Sequence, residues 1–389
     1  MKVLIVHNKY TQPGGEDAVF EAEKALLERM GHEVIPFVED NARLNGMNPL
    51  RAAGNAVWSR ESQRRLRALI EEAKPEVAHF HNTFIMVSPA ASYACKEVGV
   101  PVVQTLHNYR LLCPAATLLR NGQVCEDCVG KAVPWPGVAH GCWRASRPQT
   151  AVVAGMLTFH RLKGTWTDRV DRYIALTDFA RHKFIEGGLP ADRIVVKPNF
   201  VHRDLGPGEH RGDYALFVGR LSAEKGLRTL LRAWKRLEGI PLKVVGDGPL
   251  RGEIEEFGVR EGDPGVEFLG RKSREEVFRL MQEARTLVFP SEWYEGFPVT
   301  MAEAFACGLP VIASRLGAMA ELMEDGRTGL LFEPGNAEDL ASKVEWAWQH
   351  PESMVEMGRE ARREYERKYT AERNYEMLMG IYRTAMGDK

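Results

Sequence analysis

Short apolar runs recur along the chain, each ending in a turn-rich loop and most followed by residues at helical spacing. Lys2-Val-Leu-Ile-Val-His7 leads into Thr11-Gln-Pro-Gly-Gly15, and Ala18, Phe20, Ala25, Leu26 and Leu27 then repeat with the period of a helix. That predicts strand, loop, helix. Further strands are expected at Gly31–Pro36, Glu76–His81, Val100–Leu106, Arg172–Leu176 and Arg193–Lys197. Strands alternating with helices imply a parallel sheet covered on both faces.

From Asn199 to Tyr214 the pattern lapses into a polar stretch with three glycines, one proline and no periodicity, which reads as an interdomain linker. The rhythm then restarts at Tyr214–Gly219, Leu242–Gly246, Val266–Gly270, Thr286–Pro290, Pro310–Ser314 and Gly329–Phe332. Two doubly wound, Rossmann-like α/β domains facing each other are the economical reading. Their expected spans are 1–200 and 201–370. The tail from about Ala337 is helical in composition and too long for one domain's last helix, so 371–389 is expected to return to the N-terminal domain.

Composition adds bounds. The chain has 389 residues, and its 52 Lys+Arg balance 53 Asp+Glu, so no concentrated cationic face marks it for nucleic acid. By halves the balance separates: residues 1–200 carry +5 and the remainder −6. No run is long and apolar enough for a spanning helix, and the N-terminus enters a strand with no signal-peptide pattern, so a cytoplasmic location is expected.

The segment richest in chemistry is Pro290-Ser-Glu-Trp-Tyr-Glu-Gly-Phe-Pro-Val-Thr-Met-Ala-Glu-Ala-Phe-Ala-Cys-Gly-Leu-Pro-Val-Ile-Ala-Ser314. A strand ends at Pro290, a loop carries Glu295 and Gly296, and a helix begins near Val299. Acidic groups there lie at the C-terminal edge of a parallel sheet, where open α/β proteins bind ligands. Taken alone, Glu295 and Glu303 are more often solvated helix-end charges. Their surroundings change that weighting. Glu295 and Glu303 stand as Glu-x7-Glu within Glu-Gly-Phe-x-Val-x-x-x-Glu-Ala-x-Ala-x-Gly-x-Pro-Val, which resembles the signature of the retaining glycosyltransferases of family 4, with the GT-B fold. Phe217-Val-Gly-Arg-Leu-Ser-Ala-Glu-Lys-Gly226, Lys243-Val-Val-Gly-Asp-Gly-Pro249, Val266-Glu-Phe-Leu-Gly270, Gly317-Ala-Met-Ala-Glu321 and Thr328-Gly-Leu-Leu-Phe-Glu-Pro-Gly335 continue the resemblance in order.

The resemblance implies a hexosyl transfer from a UDP- or GDP-sugar to a glycan or lipid-linked acceptor, as in polysaccharide assembly, with no cofactor. Charge grows on the departing pyrophosphate, and fixed cations there lower the barrier; Arg220 and Lys225 would supply them. Glu303 is implied to bind the ribose and Glu295 the donor sugar, while Val244 to Lys272, with Gly246 and Arg271, would line the base pocket. Pro298 departs from the family's frequent glycine and has no N–H, so the amides of Phe297, Val299 and Thr300 are left to meet the donor beside Gly296. Gly14 and Gly15 lack the Gly-x-Gly-x-x-Gly dinucleotide pattern, and the family sets this loop against the donor phosphate. His107, closing Thr105-Leu-His-Asn108, is implied to face the donor sugar. His81 either touches acceptor or caps its strand. Double displacement needs a carboxylate pair about 5 Å apart, and no second motif offers one, which favours front-face attack with retention. Neither half shows an Asp-x-Asp metal motif, so divalent metal is expected to be dispensable.

Two features lie outside that scheme. Cys113, Cys125, Cys128 and Cys142, in a Cys-rich insertion over 113–142, have spacing that suits a structural zinc, with reduced thiols the alternative. Arg51, Arg60, Arg64, Arg65 and Arg67 bracket Trp58, a basic helical stretch suited either to anionic lipid, hence peripheral membrane contact at the inner face, or to plain solvation. Rival functions are a sugar-nucleotide epimerase or phosphorylase of similar fold, for which no proton-abstracting carboxylates or pyridoxal lysine stand out, and an inactive donor-binding module, which intact Arg220, Lys225, Glu295 and Glu303 oppose.

Overall fold

A computed structural model describes residues 1–11, 14–260 and 265–387, with side chains omitted for 257–260. The chain divides into two compact units: Met1–Arg120 with Cys125–Asn199 and Asn374–Lys389, and Phe200–Arg373 with Asn121–Val124.

The first unit is built on strands β1 (Lys2–Lys9), β2 (Glu33–Asp40), β3 (Val77–Phe80), β4 (Val102–Leu106), β7 (Arg172–Ala175) and β8 (Ile194–Val196); between β4 and β7 in the chain come two short strands, β5 (Leu119–Arg120) and β6 (Gln123–Val124). The sheet order is β2-β1-β3-β4-β7-β8, all parallel. The order reverses at β1 and β3, and the loops leaving these strands carry Gly14 and His81. The final helix, Ala371–Met386, belongs here from Asn374 onward. Its Tyr375, Leu378, Met379, Tyr382 and Ala385 fall on one stripe by the 3.6-residue period and cover Val3, Val77, Val103 and Ile174 of the sheet. Each large apolar side chain so buried stabilises by roughly 1.5–3 kcal/mol.

The second unit holds β9 (Ala215–Val218), β10 (Leu242–Val245), β11 (Val266–Gly270), β12 (Thr286–Phe289), β13 (Val311–Ser314) and β14 (Gly329–Phe332). Its order, β11-β10-β9-β12-β13-β14, is again parallel throughout. Here the reversal lies between β9 and β12, the position at which such sheets open a crevice for ligands. Helices Leu227–Trp234 and Ala337–Gln349 pack Leu230, Trp234, Leu340 and Val344 over β9, β10 and β12 to form the core.

The polar stretch read as a linker is a strap held on the second unit. Gly208 N–H donates to the Cys307 carbonyl at 2.8 Å, and those of His210 and Gly212 to Gln282 and Glu283. The His210 ring lies between the Ala284 and Cys307 carbonyls, 2.9 and 3.0 Å from its two nitrogens, and donates its one N–H to one of them, and Asp204 pairs with Arg362. Backbone partners leave no hydrophobic period, which is why the strap reads as unstructured in sequence.

Candidate active site

At the reversal point of the second sheet, two loops are drawn together by a glycine. Gly226 has φ +70, and a Cβ there would lie 1.7 Å from the Pro290 carbonyl oxygen, so no other residue fits the approach. The consequence is local. Lys225, in the turn Ala223–Lys225 after β9, reaches the loop after β12 and donates to Glu295 Oε1 at 2.7 Å. Ser291, 1% exposed, donates to the same oxygen at 2.6 Å. The ammonium also lies 5.5 Å from the Trp293 ring centre. Gly246 makes the matching approach from the loop after β10: its Cβ would meet the Gly219 carbonyl at 1.8 Å. Arg220, between these loops, is exposed.

Pro298 caps the helix Val299–Ala306. The Val299 N–H donates to the Phe297 carbonyl and that of Met301 to Pro298. Val299, expected to offer its amide to a donor, has that N–H turned onto the Phe297 carbonyl in this structure. Among the described residues, the amides of Gly296, Phe297 and Thr300 have no acceptor. Glu303, deeper in this helix, accepts from Arg274 Nη2 at 2.8 Å. Burial raises its carboxyl above the ordinary value although Arg274 opposes the shift. Arg274 escaped the sequence reading because it sits on a separate helix, Arg274–Glu283, 29 residues earlier. Arg271 is exposed. Of the expected base-pocket segment, residues 261–264 and the side chains of 257–260 lie outside the described residues.

In the first unit, Gly14 is extended and exposed, its N–H donating to Asp17 Oδ2 at 2.7 Å as a helix cap. Gly15 opens the helix Gly15–Arg29, and a Cβ on it would meet nothing within 4 Å. The protein itself does not press on this turn. Beside it, Glu16 accepts from Asn108 Nδ2 at 3.0 Å, and its Oε1 is buried with no partner. Burial raises its carboxyl. His107 leaves β4 half-buried, with Nε2 2.9 Å from His81 Nδ1. His81 is thus tied to His107 rather than merely ending its strand.

Two family models match in tandem: Glycosyltransferase Family 4 over residues 14–205 and Glycosyl transferases group 1 over 207–364. The chain belongs to glycosyltransferase family 4. An uncharacterized glycosyltransferase of Methanocaldococcus jannaschii is 33% identical over 215 residues, 55% of this chain and 59% of that protein. The alpha-D-kanosaminyltransferase of Streptomyces kanamyceticus is 25% identical over 356 residues, 90% of this chain and 87% of its own. The chain spans about half the length of the curated relatives it first matches. Among solved structures, Anabaena HepE in complex with UDP superposes with a TM-score of 0.70 at 18% identity, covering 99% of this chain and all of that one. The chain thus has the GT-B fold, two parallel-sheet Rossmann-like domains.

Two further stretches lie in the first unit. Cys113, Cys125 and Cys142 lie near enough to Cys128 to act on its thiol, which burial above all pushes up to about 11. Yet among the described residues only Glu23, His79 and His81 bring three ligand atoms within 4.8 Å of one another. The four cysteines form no disulfide, and no three of their sulfurs lie within 4.8 Å of one another. The basic stretch keeps its arginines exposed while several of them form ion pairs. Trp58 packs on Tyr93, Phe159 and His160, Arg65 pairs with Glu39, Arg51 with Glu61, and Arg67 with Glu71 and Glu97. Arg60 and Arg64 are exposed. Among the described residues no helix is long and apolar enough to cross a membrane.

Proposed function

We propose that the protein is a retaining glycosyltransferase that moves a hexosyl group from a nucleoside-diphosphate sugar to a glycan or lipid-linked acceptor. The observation that carries this is the Lys225–Glu295–Ser291 cluster at the second sheet's reversal point, with a cation and a carboxylate offered side by side. A donor presents both complements: diphosphate oxygens for Lys225 and Arg220, sugar hydroxyls for Glu295. When the bond from the anomeric carbon to the diphosphate breaks, negative charge grows on the leaving oxygen, and the two cations stabilise it there. Glu303, held by Arg274, accepts from the ribose hydroxyls, and Arg274 shares that carboxylate with the ribose. The open amides of Gly296 and Phe297 on that loop, and of Thr300 in the first turn of the helix after it, add neutral donors to the phosphate.

His107 accepts from a hydroxyl of the donor sugar. The acceptor oxygen forms its bond to the anomeric carbon on the face the diphosphate leaves, and its proton passes to the leaving phosphate. That path keeps the anomeric configuration without a second carboxylate and without a divalent ion. A UDP-sugar is the first donor to try, since HepE is seen with UDP, and a GDP-sugar the second.

The test is a transfer assay with product stereochemistry read by proton NMR. Glu295→Gln should lower kcat on the order of 10²-fold while nucleoside diphosphate still binds, and the wild-type product should keep the donor's anomeric configuration. Inversion, or full activity in the variant, would overturn the reading.

A further inference from the structure

A polar chain runs from His107 into the core of the first unit. His107 Nε2 and His81 Nδ1 are 2.9 Å apart, with the rings stacked at 18° between planes. On its far side, His81 Nε2 lies 3.4 Å from Glu23 Oε1. Neither atom has an aligned hydrogen bond, to the other or elsewhere. Glu23, 1% exposed on the helix Gly15–Arg29, uses Oε2 to accept from Lys197 Nζ at 2.9 Å. Lys197 in turn donates to Asn374 Oδ1 at 3.1 Å. His79 approaches Glu23 Oε1 at 3.0 Å with Nδ1, which is also 2.8 Å from the Tyr382 hydroxyl, and its Nε2 meets Thr105.

Charge decides where the protons sit. Burial by itself pushes the Glu23 carboxyl up, but Lys197 and His79 outweigh it and hold it well below the ordinary value. Glu23 is therefore a carboxylate, which accepts and cannot donate. Of the two ring nitrogens of His81 it is Nε2 that faces this carboxylate, so the negative charge favours the hydrogen on Nε2. Burial lowers His81 to about 3, so its ring is neutral and has only that one hydrogen. Its Nδ1 is then bare and accepts from His107 Nε2–H. His107, also held neutral chiefly by burial, has no hydrogen left for Nδ1. Among the described residues nothing bonds that nitrogen.

We propose that Glu23, acting through His81, is a positioning residue that locks His107 in the Nε2–H tautomer, leaving its bare Nδ1 to accept a hydrogen bond from a hydroxyl of the bound sugar. The proposal rests on the reading of His107 given above for the transfer reaction. It also gives the C-terminal helix a part in the site, because Asn374 and Tyr382 hold Lys197 and His79 around Glu23. The same three ligand atoms do not call for a metal ion: the Lys197 ammonium already balances the carboxylate, and a divalent cation would add buried positive charge beside it.

The experiment is long-range proton–nitrogen NMR on the full chain labelled at histidine, with His107 signals identified by their loss in His107→Gln. The wild type should show His107 protonated at Nε2 and bare at Nδ1. His81→Phe keeps a ring against His107 but removes both nitrogens, and Glu23→Gln removes the carboxylate. In each, His107 should relax to a tautomer mixture, with kcat reduced on the order of 10²-fold and donor KM unchanged. A His107 protonated at Nδ1 in the wild type overturns the proposal, as does an unchanged Nε2–H tautomer in the variants. If a variant fails to fold, the wild-type spectrum still decides. If no nucleotide-sugar is turned over at all, the transferase reading fails, while the tautomer spectrum judges the proposal separately.

Discussion

Replacing Gly226 with alanine adds one methyl group at the point where the loops after β9 and β12 touch. The backbone there has φ +70, which costs a residue with a Cβ about 1–2 kcal/mol. The methyl would sit 1.7 Å from the Pro290 carbonyl oxygen, so one loop must shift, and overpacking of this kind costs about 1–3 kcal/mol more. The sum is about 2–5 kcal/mol, which for a unit of this size is a fall in Tm of about 5–15 °C. The shift also pulls Lys225 from Glu295, so nucleoside diphosphate binding should weaken. Gly252→Ala is the control: it lies on the helix Arg251–Arg260 with open space around it, and should be neutral or gain about 0.5–1 kcal/mol. Differential scanning calorimetry reads the stability and isothermal titration the binding. If Gly226→Ala melts with the wild type and binds nucleotide as well, the claim that this glycine builds the site is wrong.

Further outcomes follow from the same geometry. Glu303→Ala should raise the donor KM and the nucleoside diphosphate Kd with kcat little changed, by the roughly 1.5–3 kcal/mol of a charged hydrogen bond; a kcat loss with unchanged Kd, seen in steady-state kinetics and titration, contradicts the ribose role. Lys197→Met leaves Glu23 buried without its counter-charge and should cost about 3–5 kcal/mol in urea unfolding; a loss within error of zero contradicts the buried network. His81, His107, His160 and His210 all have folded values lowered, foremost by burial, so the unfolded chain binds more protons below about pH 6.5. Stability should therefore decline as pH falls from 7.5 to 5, and a flat urea midpoint over that range contradicts it. Transfer should continue undiminished in EDTA; full loss in the chelator contradicts the metal-free mechanism.

The strands of both sheets were legible because each is a short apolar run closed by turn residues, and the cluster of Lys225 and Glu295 because both sit in motifs that end such runs. The network behind His107 was not. Glu23 looks like one more helix charge, Lys197 follows it by 174 residues, and Tyr382 meets His79 across 303. Only the parallel topology and the returning helix bring them together, and neither leaves a local pattern. Arg274 was hidden for a similar reason, its partner Glu303 lying on another helix. The strap over 200–213 shows the opposite case, in which a segment without periodicity is ordered by hydrogen bonds from its own backbone.

The most direct test of the central claim is isothermal titration of the protein with nucleoside diphosphates, beside Lys225→Ala. The account predicts that one of them, UDP first and GDP second, binds the wild type and that the variant loses at least about tenfold in affinity, as expected for a charge-assisted phosphate contact. Binding of none, or equal binding by wild type and variant, would contradict it.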